Sequence, residues 1–182
     1  FWIYDFFHQS DPVDIVRLED LPTRYLSLAF LLPEDVKPQF GNDRVAVSRK
    51  AADAVAQVFN ELVTRGEDRA RAQRFVLQCV FCLFAEDFAL LPKGLFTSLI
   101  ADAVKGANTF NLFGELFRQM DSRQKPRGGR FKEVEYFNGG LFGAIDPIEL
   151  NRAEVALLEE AARENWSLVQ PPIFGALFEG SM

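Results

Sequence analysis

Apolar residues recur every three or four positions over most of the chain, which is the spacing of amphipathic helices. The first such stretch is marked by Val47, Ala51, Val55, Val58 and Leu62. Gly66 follows it as a candidate C-cap. In the next stretch, residues 69–92, the apolar stripe widens until the run CVFCLF (79–84) is apolar on every side. Because a helix that is apolar all round is buried all round, residues 69–92 are predicted to form the central helix, ended by Pro92.

Further helices are predicted after Pro92. Two of them are marked by Leu95, Phe96, Leu99, Ile100, Ala103 and Val104, and by Phe110, Phe113, Leu116, Phe117 and Met120. Another begins after Asn151, which can form a variant of the capping box with Glu154. Its inner stripe consists of Val155, Leu158, Ala162 and Trp166. A short last helix is predicted around residues 173–178.

The beginning of the chain follows a different pattern. Residues 1–7 are rich in aromatic side chains and residues 13–21 read as a second extended segment, with the turn signal QSDP before it. Two short strands do not make a stable sheet alone, so this region is predicted to be the end of a neighbouring domain. Residues 33–45 are predicted to be a linker. The fold class is therefore mainly α: a short β-containing fragment and linker over residues 1–44, then a helical bundle over residues 45–182.

Composition and charge narrow the function. A hydrophobic fraction of 48% with 19 Phe is typical of a chain with a large core and excludes disorder. The net charge of −6 repels phosphate, so nucleic-acid binding would need a local basic patch or another part of a longer protein. Since the chain opens on Phe1, it is expected to be a piece of a longer protein. There is no signal-peptide pattern and no membrane-length apolar run, and two cysteines in an apolar run indicate reduced thiols in the cytoplasm.

Two glycine-containing stretches resemble cofactor motifs without meeting their requirements. The stretch YFNGGLFG (136–143) has the contiguous pair Gly139–Gly140, whereas phosphate loops use spaced glycines between a strand and a helix. It is interpreted as a tight corner whose aromatic side chains fill the core. The stretch QPPIF (170–174) resembles the Asn/Asp-Pro-Pro-aromatic loop of amino-methyltransferases, but its first and fourth residues differ. No cofactor-binding residue is assigned.

The candidate catalytic and metal-binding residues also favour structural roles. Cys79 and Cys82 form a lone CxxC in mid-helix, and zinc needs about four ligands. Glu86 and Asp87 end the central helix, where carboxylates are electrostatically misplaced. They are expected to form a salt bridge, most simply with an arginine of a neighbouring helix, or to cap a turn. His8 is the only histidine, and Asp5 close by lacks the acidic-x-Lys partner of metal-dependent nucleases. No catalytic or metal-binding residue is assigned.

The loop DSRQKPRGGRFK (121–132) is the one segment suited to phosphate contacts. Its candidate DNA-phosphate contacts are Arg123, Lys125, Arg127, Arg130 and Lys132. A solvated surface loop explains the same charges. We expect any DNA binding by this chain to be weak and salt-dependent, and to depend on the four residues from Arg123 to Arg130.

Three motifs in this order resemble the helical spacer of MmeI-like DNA methyltransferases: FCLFAEDF (81–88), YFNGGLF (136–142), and Trp166 with PPIFGALFE (171–179). The resemblance covers roughly residues 45–180, with the first 32 residues matching the family's N-terminal domain more loosely. Gln78 stands where a basic residue is expected, which leaves Arg74, one turn earlier, as the arginine that can reach Glu86.

The resemblance implies a parent protein of a bacterial restriction–modification or phage-defence system. The family's order is a nuclease or nuclease-like domain, the helical spacer, an S-adenosylmethionine-dependent adenine-N6 methyltransferase and a target-recognition domain. It implies that this piece stops short of the cofactor site and acts as a non-catalytic connector, which positions the flanking domains around DNA. The alternative is an independent protein-interaction module of a defence complex, which would expose an apolar patch of several hundred Å².

Overall fold

A computed structural model describes residues 1–4, 12–32, 38, 40–124, 126, 128–137, 140–164, 166 and 169, with only the backbone for residues 41–46. The strands are β1 (Trp2–Tyr4) and β2 (Pro12–Ile15). The helices are α1 (Leu21–Arg24), a 3-10 helix (Tyr25–Leu31), α2 (Gly41–Arg65), α3 (Arg69–Asp87), α4 (Leu95–Val104), α5 (Thr109–Asp121) and α6 (Arg152–Ala162). The predicted mainly α class is confirmed.

The two strands form a small antiparallel sheet in which Trp2 lies opposite Ile15. Ile3, Val13 and Val16 are buried beneath it, with Leu21, Leu28 and Phe40 packed against them. The expected extended start is confirmed for β1, but β2 ends at Ile15. The helical turns over residues 21–31 were not predicted, because their apolar run LSLAFLL lacks a helical period.

The second core is larger and is formed by α2 to α6 together with the segments that join them. Its largest fully buried side chains include Trp166, Phe75, Phe96, Phe113, Phe117 and Phe142. Helix α3 is its centre, since residues on every side of the run 79–84 are buried or half-buried. The predicted central helix is confirmed.

Two predicted boundaries were wrong. Helix α2 begins at Gly41, so residues 41–45 are helical instead of linker. Extending an existing helix adds one hydrogen bond per residue fixed, which outweighs the poor propensity of the sequence GNDR. Helix α3 ends at Asp87, five residues before Pro92. There the chain turns through Ala89 at φ 55°, and the N–H groups of Leu90 and Leu91 donate to the carbonyl of Ala85.

The predicted start of α6 and end of α2 are confirmed, but α6 ends at Ala162, so Trp166, predicted on its inner stripe, lies beyond the helix. The Asn151 side chain accepts from the backbone N–H groups of Ala153 and Glu154, and Glu154 accepts from the N–H of Asn151 at 2.8 Å, which completes the capping box. Gly66 follows α2 at φ 102°, as a C-cap glycine should. The helix predicted around residues 173–178 lies outside the described residues. No helix in the part that the structure describes has both the length and the apolarity to cross a membrane.

Candidate functional site

The C-terminal half of α3 contacts three segments outside the helix: the start of α4, the 136–143 corner and Trp166. Four of its side chains do so: Gln78, Phe81, Glu86 and Asp87. We call this set the α3 junction. Each member contacts a segment outside α3, so the junction fixes the positions of those segments relative to one another.

Glu86 caps the N-terminus of α4. Its carboxylate accepts hydrogen bonds from the backbone N–H groups of Gly94 (3.0 Å), Phe96 (2.6 Å) and Thr97 (3.1 Å), and from the Thr97 hydroxyl (2.7 Å). Gly94, the N-cap residue, has no side chain to cap the helix, so Glu86 satisfies N–H groups that would otherwise lack acceptors. The carboxylate thus lies at the C-terminus of α3, where the helix dipole disfavours a negative charge, but it is stabilised by the positive N-terminus of α4.

This contact decides between the two roles expected for Glu86. The capping role is confirmed, whereas the expected arginine partner was wrong. Among the described residues no lysine or arginine forms an ion pair with Glu86, and Arg74 is exposed. Four donors converge on the carboxylate, so its charge is compensated without a cation.

Asp87 binds the segment that follows α6. Its Oδ2 accepts from the backbone N–H of Trp166 at 2.7 Å. The indole of Trp166 is 2% exposed, and its Nε1–H donates to the carbonyl of Ala161 at 2.9 Å. Asp87 therefore fixes the backbone of Trp166, whose side chain lies in the core.

Gln78 and Phe81 hold the 136–143 corner. The Gln78 Nε2 donates to the carbonyls of Leu141 (2.9 Å) and Ala144 (3.1 Å). The ring of Phe81 lies 4.1 Å from that of Phe137 and 5.7 Å from that of Phe142, measured between centroids.

The corner is also tied to α5. The N–H of Phe137 donates to the carbonyl of Met120 at 2.8 Å. Phe142 is buried, Leu141 packs against the core, and Gly140 has φ 70°. The interpretation of this stretch as a core-filling corner is confirmed for these residues, while Gly139 lies outside the described residues.

A second set of ionic contacts joins α2 to α6, and no sequence pattern indicated it. Arg65 donates to the buried carboxylate of Glu154 at 2.9 Å and to the carbonyl of Glu149 at 3.1 Å. Glu149 in turn accepts from the N–H of Phe110 at the start of α5, at 2.9 Å. These partners lie 39 to 89 residues apart, so local spacing could not reveal them.

The basic loop is anchored at its described positions. Arg130 donates to the Asp102 carboxylate (2.7 Å) and to the Ser98 hydroxyl (2.8 Å), both on α4. Arg123 lies over the ring of Tyr136, 5.3 Å from its centroid. Lys132 is exposed and lies 3.5 Å from the carboxylate of Glu133.

The five predicted phosphate contacts therefore differ from one another. Arg130 and Lys132 have acidic neighbours, Arg123 is exposed with an aromatic neighbour, and Lys125 and Arg127 lie outside the described residues. An exposed guanidinium over an aromatic ring is positioned without losing its charge. Of the described residues of the loop, Arg123 is thus the most available to a phosphate.

The two cysteines are structural. Both are buried, and burial raises the pKa of the Cys79 thiol and, together with the neighbouring Cys79 and Glu86, that of the Cys82 thiol. The Cys82 sulfur lies 3.7 Å from the sulfur of Met120. The expected burial of both thiols is confirmed. The described residues contain no cluster of three or more residues of the types that ligate metals, and His8 and Asp5 lie outside them.

A groove of about 610 Å³ lies between the end of α4 and the start of α6. Its charged residues are Lys105, Glu149, Arg152 and Glu159, which balance one another, and its lining contains no Ser, Thr, Tyr, Cys or His. Glu149 is already engaged by the N–H of Phe110. The residues that line the groove therefore provide neither a nucleophile with its base nor a set of metal ligands.

These features define a class of protein before any comparison. The polar side chains that are best suited to carry chemistry serve instead as helix caps and cross-links within a Phe-rich bundle. The described sites are therefore structural. The chain is a helical domain in which distant segments are fixed to one central helix.

Comparison with known proteins shows what this helical domain resembles. Residues 70–142 match the family described as MmeI, helicase spacer domain. DNA methyltransferase A of Bacillus subtilis (strain 168) is 28% identical over 174 residues, covering 90% of this chain and 19% of that protein. The structure of the type IIL restriction–modification enzyme MmeI in complex with DNA matches with a TM-score of 0.63 and 27% identity, over 73% of this chain and 19% of that chain.

The chain is similar to the helical spacer of MmeI-like restriction–modification proteins. The family match spans α3 to the 136–143 corner, which contains the whole α3 junction. The chain spans 19% of the length of the relatives it matches. The resemblance of the three sequence motifs to this family is thus confirmed.

Proposed function

We propose that this chain is the non-catalytic helical connector of a longer site-specific DNA adenine-N6 methyltransferase of a restriction–modification or phage-defence system. It holds an N-terminal nuclease-like domain and the methyltransferase domain at a fixed separation around DNA. S-adenosylmethionine binds elsewhere in that parent protein. The relatives support this assignment, since one is named a DNA methyltransferase and the other is a restriction–modification enzyme in complex with DNA.

The α3 junction is the observation that carries the proposal. Asp87 holds Trp166, Glu86 holds α4, and Gln78 holds the corner, all from one helix. A connector must keep the domains at its two ends at a fixed separation. This requires that the side chains inside the connector keep fixed positions relative to one another. The charge-assisted hydrogen bonds of Glu86 and Asp87 and a close-packed aromatic core supply that stiffness.

The exposed apolar side chains of the described residues are concentrated in the N-terminal part of the chain. Of the 14 large hydrophobic residues exposed in the described parts of the chain, nine lie in residues 1–32. They are Phe1, Trp2, Tyr4, Ile15, Leu18, Tyr25, Phe30, Leu31 and Leu32. A connector is expected to have apolar surface at both ends, where the flanking domains dock, and the described residues meet that expectation at the N-terminal end.

DNA contact through the basic loop is a further part of the proposal. Arg123, Lys125 and Arg127 touch phosphates in the parent complex, and Arg130 and Lys132 contribute less because acidic residues lie beside them. Replacing the first three together by Ala in the parent should weaken DNA binding without changing sequence preference. It should also make the dependence of log K on log salt shallower, by about 0.9 for each phosphate that the loop no longer neutralises. An unchanged slope would exclude the loop from the interface.

The experiment that tests the function is methyl transfer by the full-length parent. With labelled S-adenosylmethionine and duplex DNA, we expect label at adenine N6. Asp87→Ala should lower the methylation rate while leaving S-adenosylmethionine affinity unchanged, because the junction positions domains and does not bind the cofactor. Asp53→Ala is the matched control, as Asp53 is also an exposed aspartate on a helix and lies outside the basic loop. A parent that transfers no methyl group to DNA would overturn the assignment.

A further inference from the structure

The small N-terminal sheet has two edges that differ. Phe1 and Val16 exchange two backbone hydrogen bonds, at 2.7 and 2.8 Å, so they form a hydrogen-bonded pair. In an antiparallel ladder the next pair along, Trp2 and Ile15, then directs its backbone N–H and carbonyl groups outward. Trp2 therefore presents its groups at the β1 edge, and Ile15 presents its own at the β2 edge.

The β2 edge is blocked by side chains. The Ile15 N–H donates to Asp14 Oδ1 at 2.8 Å, and Arg24 donates to the Ile15 carbonyl at 3.3 Å. Arg24 also donates to both oxygens of Asp14, at 2.6 and 2.7 Å, and Ser27 donates to the same carboxylate. A strand approaching this edge would have to displace a part-buried ion pair.

The β1 edge is open. Within the described residues the backbone groups of Trp2 have no partner, and the Trp2 side chain is 66% exposed. Ile15, opposite Trp2, is 48% exposed and Tyr4 is 42% exposed. Natural edge strands are usually protected by charged side chains or proline, and β1, with the sequence WIY, has neither.

We propose that the β1 edge pairs with a further β-strand supplied by the rest of the same longer polypeptide, whose apolar surface covers Trp2, Tyr4 and Ile15. This rests on the proposed function, in which the chain is one part of a longer protein. Because the chain covers only 19% of each relative, most of their length lies outside it and can supply that strand. Strand addition satisfies the free backbone groups, and an apolar cover removes the exposed side chains from water.

The test is amide hydrogen exchange at single-residue resolution in the full-length parent. The Trp2 N–H points to the proposed partner, whereas the Ile3 N–H, in the next hydrogen-bonded pair, points into the existing sheet. Ile3 therefore reports whether the sheet itself is folded. Asn108, exposed in the loop between α4 and α5, has a backbone N–H with no acceptor among the described residues and gives the rate for an unprotected loop. We expect Trp2 to exchange at least about tenfold more slowly than that loop.

A matched pair of variants separates edge pairing from general stability. Trp2→Lys should remove the protection at position 2 while Ile3 stays protected, and Leu90→Lys, at a 60% exposed residue in the turn after α3, should leave both unchanged. Loop-like exchange of Trp2 in the parent would overturn the proposal. Protection that appears only as protein concentration rises would assign the edge to a second copy and would overturn it too. A parent without methyltransferase activity but with a protected Trp2 would refute the proposed function alone.

Discussion

Removing the carboxylate of Glu86 is the sharpest test of how the bundle is held together. Glu86→Ala deletes the acceptor for three backbone N–H groups and one hydroxyl at the start of α4. Loss of an N-cap costs about 0.5–2 kcal/mol. Leaving the fully buried N–H of Phe96 unsatisfied adds about 1–3 kcal/mol. We therefore expect the free energy of unfolding to fall by about 2–4 kcal/mol.

Glu86→Gln separates charge from geometry. The amide keeps an acceptor oxygen but loses the interaction of a negative charge with the helix N-terminus, which is worth up to about 2 kcal/mol at a partly buried site. We expect it to cost about 1–2 kcal/mol, less than Glu86→Ala. The assay is urea unfolding of the chain, comparing midpoints at unchanged m-values.

The control for this series is Glu61→Ala, at an exposed position of α2, which should change stability by less than about 0.5 kcal/mol. If Glu86→Ala cost no more than Glu61→Ala, the capping contact would contribute nothing to stability and the role assigned to Glu86 would be wrong.

Three further predictions concern other contacts of the bundle. Asp87→Ala should lower the free energy of unfolding by about 1–2 kcal/mol. In a Trp2→Phe background, it should also shift the fluorescence emission of Trp166 to longer wavelength, and unchanged emission would contradict the contact. Gly114→Ala should destabilise by about 1–3 kcal/mol despite its better helix propensity, because the added Cβ would lie 2.7 Å from the Pro147 side chain; a more stable variant in urea unfolding would contradict this. The two buried cysteines should resist alkylation at pH 8 until urea unfolds the chain. Burial raises the pKa of both thiols above the ordinary 9.0. The free energy of unfolding should therefore be constant below pH 9 and decrease above it by up to about 1.4 kcal/mol per thiol and pH unit. Replacing both cysteines by Ala should make this decrease smaller.

The sequence predicted the features that depend on local periodicity. The all-round apolar run of α3 identified the central helix, and the Asn151–Glu154 spacing identified the capping box. Both rest on residues within one or two turns of each other. The predicted C-terminus of α3 was five residues too far along the chain, because Pro92 is the first residue of the sequence that clearly breaks a helix. The helix ends instead at a turn through Ala89, a residue with no intrinsic preference for positive φ.

The junction was only partly predictable. Glu86 stood out as a carboxylate at the wrong end of its helix, but its partners follow a turn whose geometry no sequence pattern specifies. Gln78 could have been recognised as the one amide in an apolar run, which must find acceptors when buried. Its partners, the carbonyls of Leu141 and Ala144, lie more than sixty residues away. The same holds for Asp87 and Trp166.

The basic loop shows a different limit. A charge count treats five basic residues as equivalent, but Arg130 is bound to Asp102 on α4, 28 residues earlier in the chain. Which cations remain available to a partner depends on the tertiary pairing of acids elsewhere in the sequence.

The most direct test of the connector is a distance measurement across it in the full-length parent. Spin labels at Glu19→Cys and Glu160→Cys, both exposed positions, would span from the N-terminal sheet region to α6. The buried cysteines should not react with the label. We predict one narrow distance distribution that stays the same when duplex DNA binds and broadens in Asp87→Ala. A broad or multi-peaked distribution in the unmodified junction, or a shift on DNA binding, would contradict a rigid connector.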